Sequence, residues 1–156
     1  MKNGSGKIDI LLVEDNPGDR TSILATLKKA NFLNRIHALE DGTRVMDFLF
    51  RQGAHSGEPP LAGEVLILLS LNLGGIHGLD ILRRIKADER SKSFPVIILS
   101  SSQEERGVMQ SYKLGANACI VKPIDLRKFI EAIAELRLGW VLVSSEDPAG
   151  GKLPGD

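Results

Sequence analysis

Short runs of apolar residues alternate along this chain with stretches in which apolar residues recur at helical spacing. Runs of strand length occupy 8–13, 65–69, 96–99 and 118–121, and a weaker run occupies 35–39. A helical pattern follows each run, and its clearest stripe in the first helix consists of Ile23, Leu24 and Leu27. Because strands that alternate with helices are typical of βαβ units, the pattern predicts five such repeats around a parallel sheet.

Capping residues mark several of the predicted helix ends. Asn16 followed by Pro17 predicts the start of the first helix, since an Asn N-cap and a Pro at the first helical position are both preferred there. The stretch from Ser102 to Glu105 has the pattern of a capping box for the fourth helix, and Gly115 supplies the stop of that helix. These boundaries support the same α/β architecture.

Composition limits the classes of function. The chain has 156 residues, and its 20 basic and 20 acidic residues balance. Without a net positive charge, neither nucleic acid nor an anionic membrane surface is expected as a partner. The single cysteine, Cys119, excludes an internal disulfide and a cysteine-rich metal site, and it fits a reducing compartment. We therefore expect a cytoplasmic protein.

The domain organisation is predicted to be simple. The apolar run that follows the N-terminus has only strand length, so we expect neither a signal peptide nor a membrane span there. We predict a flexible N-terminus over 1–7 and one ordered domain over 8–143. The segment 144–156 is rich in Gly and Pro and is predicted to be a disordered tail.

Polar residues follow the apolar runs where the predicted strands end. They are Glu14 and Asp15 after the first strand, Ser70 and Asn72 after the third, Ser100 after the fourth and Lys122 after the fifth. Ligands of open parallel sheets bind at the carboxyl ends of strands. Each residue alone fits an ordinary turn or strand terminus, but their shared placement predicts one polar site at this edge.

Longer segments resemble a known family. They are 10–20 (ILLVEDNPGDR), 68–73 (LLSLNL), 85–88 (IKAD), 111–117 (SYKLGAN) and 121–126 (VKPIDL). Over 8–140 the chain resembles the single-domain response regulator receivers that partner bacterial and cyanobacterial phytochrome histidine kinases. The resemblance implies a flavodoxin-like, doubly wound (βα)5 fold with a five-stranded parallel sheet in the order 2-1-3-4-5. It also implies a non-enzymatic role in two-component phosphorelay signalling, with a histidine kinase as partner.

The resemblance assigns roles to the strand-end residues. Glu14, Asp15 and the backbone carbonyl of Asn72 would hold a divalent cation, usually Mg²⁺. Ser70 stands at the position of the aspartate that accepts the phosphoryl group. Phosphoryl transfer requires positioning and neutralisation of the charge on the phosphoryl oxygens, which a cation and a lysine supply.

Three further positions belong to the phosphate-contacting and switch set that the resemblance implies. Ser100 and Lys122 would contact the phosphoryl group, and Cys119 stands where an aromatic residue usually rotates inward. Cys119 lacks an aromatic ring for that rotation. A redox role for Cys119 would need a thiolate stabilised by Lys122, whereas an ordinary half-buried thiol is the alternative.

Ser70 is the main departure from the family pattern. A serine hydroxyl needs a base to act as a nucleophile, and it removes one carboxylate from the metal site. Gly74 and His77 replace a proline and an acidic residue that are common in the same loop. His77 could be read as a metal ligand or a phosphohistidine, but a solvated loop histidine is the simpler interpretation.

We therefore interpret the chain as an atypical receiver that is not phosphorylated at the usual position, has a weakened Mg²⁺ site and acts through protein–protein contacts. One alternative is an ordinary phosphoacceptor receiver whose acceptor was altered in this chain. An alternative of another class is a flavodoxin-like nucleotide- or flavin-binding protein. Glu14 and Asp15 disfavour that class, because they would repel phosphate in the absence of a cation.

The last helix, predicted to begin at Asp125, carries the residues assigned to an interface. They are Phe129, Ile133, Leu136 and Trp140. We expect that they do not all face the sheet, and that a face formed by the fourth helix, fifth strand and fifth helix forms a homodimer. Packing of the same residues on their own domain is the alternative.

Overall fold

The structure, a computed structural model, describes residues 9–29, 35–59, 61, 65–73, 76–101 and 105–136. Its main strands are β1 (Asp9–Val13), β2 (Arg35–Leu39), β3 (Val65–Ser70), β4 (Val96–Ser100) and β5 (Ala118–Val121). Its α-helices are α1 (Pro17–Lys29), α2 (Val45–Leu49), α3 (Gly78–Ala87), α4 (Glu105–Lys113) and α5 (Leu126–Leu136). Single-turn 3₁₀ helices lie at Gly42–Arg44 and Gly53–His55, and the two-residue strands Asn72–Leu73 and Ile76–His77 form a hairpin before α3.

The five main strands form one parallel sheet in the order β2-β1-β3-β4-β5. The predicted fold class and strand order are therefore confirmed. β1, β3 and β4 are buried along their whole length. Their continuous apolar runs follow from this position, since an inner parallel strand is covered on both faces and has no polar side to present.

Helices cover the two faces of the sheet and close one core on each. On one face, Ile23 and Leu27 of α1 pack with Phe129 and Ile133 of α5 against alternate strand residues. On the other face, α2 and α3 contribute the buried residues Val45, Phe48, Leu49, Ile81, Leu82 and Ile85. Alternation along the strands directs successive side chains to opposite cores. The helices cover the faces of the sheet, and polar residues lie at the edge formed by the carboxyl ends of the strands.

The helix ends follow the predicted capping residues. The backbone N–H of Asp19 donates to Asn16 Oδ1 at 2.8 Å at the start of α1, and the N–H of Lys128 donates to Asp125 Oδ1 at 2.8 Å before α5. Gly115 follows α4 with φ +107°, a conformation that favours glycine after a helix. These boundaries are confirmed.

The assignment of α5 residues to an interface is wrong for Phe129 and Ile133. Phe129 is 0% exposed and Ile133 is 6% exposed, and both lie in the core of their own domain. Leu136 packs against the same core. Residues spaced by four and three positions form one helical stripe, so all three face the sheet. Trp140 lies outside the described residues.

Other predictions also fall outside the described part of the chain. These are the N-terminal segment 1–7, residues 102–104 of the capping box, Gly74 and the tail 144–156. In the described ranges, no helix has the length and apolar character needed to cross a bilayer.

Candidate functional site

The predicted strand-end residues meet at one edge of the sheet. Glu14 follows β1, Ser70 ends β3, Ser100 ends β4 and Lys122 follows β5. Parallel pairing aligns these ends, because Val13 lies opposite Leu69, Ser70 opposite Leu99 and Ser100 opposite Val121. Glu14 and Ser70 are each 1% exposed and Ser100 is 0% exposed. The polar groups therefore form a largely buried pocket.

The Lys122 ammonium lies at the centre of this pocket. Its Nζ donates to Glu14 Oε1 at 2.6 Å, to Asp19 Oδ2 at 3.2 Å and to Ser70 Oγ at 3.2 Å. An ammonium has three N–H donors. Three oxygens, from Glu14 after β1, Asp19 of α1 and Ser70 of β3, thus account for the whole hydrogen-bonding capacity of Lys122.

Glu14 is held firmly by its own surroundings. Its backbone N–H donates to Leu39 O at 3.0 Å, which extends the β1–β2 pairing by one residue. Its Oε2 accepts from the backbone N–H of Asn16 at 3.1 Å, and Arg20 Nη1 donates to its backbone carbonyl at 2.9 Å. Both carboxylate oxygens of Glu14 therefore have donors.

The surroundings keep Lys122 charged. Burial by itself disfavours the ammonium and lowers its pKa, but the hydrogen bonds and negative charges of Glu14 and Asp19 together outweigh burial. The pKa of Lys122 is consequently raised above its ordinary value. At neutral pH Lys122 is an ammonium that donates to the Ser70 hydroxyl and has no capacity to accept its proton.

Ser100 presents a buried hydroxyl to the same edge. The backbone N–H of Lys122 donates to Ser100 O at 2.8 Å, and the Lys122–Pro123 peptide bond is cis. The Oγ atom of Ser100 has no hydrogen-bond partner within the described part of the chain. Buried hydroxyls are usually satisfied, so Ser100 Oγ is an exception among the described residues and can bond a group that enters the pocket.

In the arrangement observed, oxygens that a divalent cation would use are already bonded within the protein. Mg²⁺ requires oxygen ligands in an octahedral shell, commonly including carboxylates. Here Glu14 Oε1 and the neutral Ser70 hydroxyl are already bonded to the Lys122 ammonium. Asp15 is half-buried beside Glu14, and Asn72 is exposed in the hairpin. Across the described residues, no cluster of three or more His, Cys, Asp or Glu side chains could hold a metal ion.

Cys119 is half-buried on β5. Its Sγ lies 3.7 Å from Ser111 Oγ. Burial raises the pKa of the Cys119 thiol and outweighs the opposite effect of hydrogen bonds from Ser111 and Tyr112. The thiol is therefore neutral at neutral pH, which argues against the redox interpretation, since that interpretation requires a stabilised thiolate.

His77 has a structural role that the sequence interpretation did not include. Its Nδ1 accepts from the backbone N–H of Leu79 at 3.1 Å, so His77 is the N-cap of α3. The next residue, Gly78, leaves no room for a side chain, because a Cβ atom there would clash with the backbone carbonyl of Ser70. His77 and Gly78 together fix the start of α3 directly behind the Ser70 end of β3.

Asp19 is the pocket residue that sequence reasoning missed. It lies in the first turn of α1, and its side chain is 47% exposed and contacts Lys122. The signal available in the sequence was its position three residues after the Asn16 N-cap. Because α1 begins at the carboxyl end of β1, its first turn borders the strand-end site.

Comparisons with known proteins agree with this architecture. Residues 10–134 match the response regulator receiver domain family. The chain is 33% identical over 135 residues to the probable methanogenesis regulatory protein FilR2 of Methanothrix harundinacea, covering 84% of both proteins. It is also 33% identical over 132 residues to the response regulator Rcp1 of Synechocystis, covering 85% of this chain and 88% of Rcp1.

Solved structures are similar as well. The bacteriophytochrome response regulator RtBRR aligns with a TM-score of 0.77 and 35% identity, over 92% of this chain and 86% of that one. The Mn(2+)-bound form of Rcp1 aligns with a TM-score of 0.70 and 33% identity, over 88% and 99% of the two chains. With a family match over most of its length and relatives above 30% identity, this chain belongs to the response regulator receiver domain family of two-component signalling and is related to the phytochrome-associated regulators.

Proposed function

We propose that this chain is an atypical receiver in which Ser70 replaces the phosphate-accepting carboxylate, so that a phosphoryl group is not accepted there. The observation that carries the proposal is the hydrogen bond from Lys122 Nζ to Ser70 Oγ at 3.2 Å. A serine nucleophile requires a neighbouring base. Lys122 is the contacting group, and its raised pKa makes it a donor at neutral pH.

A weakened Mg²⁺ site belongs to the same proposal. Replacement of an aspartate by Ser70 removes one negative ligand from a site whose other acidic members are Glu14 and Asp15. Glu14 already bonds the Lys122 ammonium at 2.6 Å. Since Mg²⁺ affinity depends on the number and charge of its oxygen ligands, the loss of one carboxylate lowers the affinity.

Signalling would then depend on protein–protein contacts. We propose a cytoplasmic, non-enzymatic role in which the chain binds a histidine kinase, of the phytochrome type by analogy with its relatives, and forms a homodimer. The α4–β5 surface supports the second part, because Met109, Tyr112 and Val121 are exposed there by 63%, 50% and 43%. Met109 and Tyr112 lie three positions apart on α4 and so share one face of that helix, and exposed large apolar side chains that form a patch are typical of interaction surfaces. Phe129 and Ile133 do not contribute to it.

Intact mass tests the proposal directly. The unmodified protein and its Ser70→Asp variant are incubated with Mg²⁺ and a small-molecule phosphodonor. Ser93→Asp is the matched control, because Ser93 is an exposed serine in the loop between α3 and β4. We expect no phosphoryl adduct on the unmodified protein or on the control. An adduct mapped to Ser70 in the unmodified protein would contradict the proposal.

The Ser70→Asp variant separates two forms of the proposal. If this variant gains a phosphoryl group, Lys122 and Ser100 still serve phosphoryl transfer and Ser70 alone prevents it. If the variant gains none, the pocket has also lost the ability to neutralise the transferred group. A dimer is tested independently by sedimentation, with Met109→Ser and Tyr112→Ser expected to shift the protein toward the monomer.

A further inference from the structure

The pocket contains its own cation. Lys122 Nζ contacts Glu14 Oε1 and Asp19 Oδ2, and the third N–H points to Ser70 Oγ. Arg20 adds a second positive group, because its Nη1 donates to the backbone carbonyl of Glu14 at 2.9 Å. The carboxylates of Glu14 and Asp19 therefore face one ammonium that belongs to the chain itself, and Arg20 holds Glu14 through its backbone carbonyl.

Ser70 completes the hydrogen bonds of Lys122 without adding a charge to the pocket. A hydroxyl accepts one N–H of Lys122 without adding negative charge. An aspartate at the same position would place another carboxylate in contact with the ammonium and would leave a net negative charge to be neutralised. Asp15 adds one further carboxylate beside Glu14, but it is only half-buried, and solvent screens its charge.

We propose that the Lys122 ammonium takes the place of a divalent cation in this pocket and is held there by Glu14, Asp19 and Ser70. A cation bound to Glu14 would have to displace the ammonium from its 2.6 Å contact, and two positive groups would then compete for the same oxygens. The inference rests on the proposed function, since it explains why Mg²⁺ affinity is lowered in the same pocket. We call Glu14, Asp19 and Ser70, which accept the three hydrogen bonds of Lys122, the cage; Asp19 supplies its second carboxylate.

Mn²⁺ binding, followed by water-proton relaxation, tests the inference with the full chain. The unmodified protein is compared with Lys122→Met, which removes the charge but keeps a flexible apolar stem. Lys92→Met is the matched control, because Lys92 is exposed and pairs with Glu89 rather than with a residue of the pocket. We expect the Mn²⁺ affinity of the unmodified protein and of the control to be at least about tenfold weaker than that of Lys122→Met, since removal of the ammonium leaves the carboxylate oxygens of Glu14 and Asp19 available to the cation.

Equal Mn²⁺ affinity in the unmodified protein and Lys122→Met would overturn the inference. A second measurement keeps the test valid if Lys122→Met does not fold. In the unmodified protein, the ¹H–¹⁵N signal of the Lys122 ammonium is recorded during a Mg²⁺ titration. A signal that neither shifts nor broadens supports the cage, whereas displacement of the signal by Mg²⁺ overturns it.

The outcome is distinguishable from failure of the proposed function. A phosphoryl adduct at Ser70 is detected by mass and would overturn the proposed function. Mn²⁺ binding is detected without any phosphodonor and decides whether Lys122 replaces the cation. Asp19→Asn serves as an intermediate variant, because it removes the negative charge of Asp19 but leaves Lys122 bonded to Glu14 and Ser70. Its Mn²⁺ binding should be weaker than that of Lys122→Met.

Discussion

The Glu14–Lys122 ion pair offers the sharpest test of the site through stability. The perturbation is Lys122→Met, which leaves the Glu14 carboxylate buried with Asn16 and without its cation. Glu14 is 1% exposed, whereas the Lys122 side chain is 21% exposed and the two atoms lie 2.6 Å apart. If Lys122 is removed, the Glu14 carboxylate stays buried and water does not replace the lost hydrogen bond.

The magnitude follows from this asymmetry. Removing one partner of a buried ion pair costs about 3–5 kcal/mol, because an uncompensated charge is left behind. Since Lys122 itself is partly exposed, we expect the lower end, about 3 kcal/mol of unfolding free energy. Glu14→Gln leaves the ammonium with Asp19 and Ser70 and should cost about 2 kcal/mol, the range of a hydrogen bond to a charged group.

The assay is urea unfolding at 25 °C of the two single variants, the double variant and the unmodified protein. In the double variant no buried charge is left unpaired, so we expect its cost to fall about 2 kcal/mol below the sum of the single costs. Lys92→Met, at an exposed pair, should stay within about 0.5 kcal/mol of the unmodified protein. If Lys122→Met is no more destabilising than Lys92→Met, the reasoning about the buried pair is refuted.

Three further predictions follow from the fold and the pKa of Lys122. Phe129→Ala should cost about 3–5 kcal/mol by urea unfolding, as expected for a buried aromatic, while Met109→Ala should change stability by less than about 0.5 kcal/mol; similar costs would contradict the assignment of Phe129 to the core. Asn16→Ala should cost about 1 kcal/mol in thermal unfolding through loss of the N-cap of α1, and an unchanged melting temperature would show that the cap contributes nothing. Because the folded-state pKa of Lys122 is raised above its ordinary value of 10.5, its stabilisation is complete below pH 10.5 and is lost as pH rises through the folded value. As pH rises from neutral, the stability difference between the unmodified protein and Lys122→Met should therefore stay constant until strongly alkaline pH, and narrowing just above neutral pH would contradict the raised pKa.

The sheet and the strand-end site could be predicted from sequence because both depend on local pattern. Continuous apolar runs identify inner parallel strands, and the residue directly after each run must lie at the carboxyl edge. Glu14, Ser70, Ser100 and Lys122 were located by this rule alone, and the structure brings them together. The caps at Asn16 and Asp125 were predictable for the same reason, since each acts on the first turn of its own helix.

Two features could not be predicted: the contact of Asp19 with Lys122, and the burial of the α5 residues that had been assigned to an interface. Asp19 contacts Lys122 across 103 positions of sequence, and no local pattern specifies which carboxylate of a first turn bends toward a lysine on another strand. The interface interpretation of Phe129, Ile133 and Leu136 had a different origin. Their spacing already indicated a single stripe, and the depth of the α1–α5 core, which the sequence does not show, is what accommodates all three.

The charge arrangement at Ser70 also bears on how a signal could leave the domain. In the proposed function, Lys122 is bonded to Glu14, Asp19 and Ser70, so the pocket has one charge state and no phosphoryl group to shift its conformational equilibrium. A ligand can shift an equilibrium only by its differential affinity for two states. Partner binding at Met109, Tyr112 and Val121 on the exposed α4–β5 surface would then be controlled by the concentrations of the two proteins. The affinity of that surface should accordingly be the same with and without a phosphodonor, and a change on adding one would show that the pocket still controls the surface.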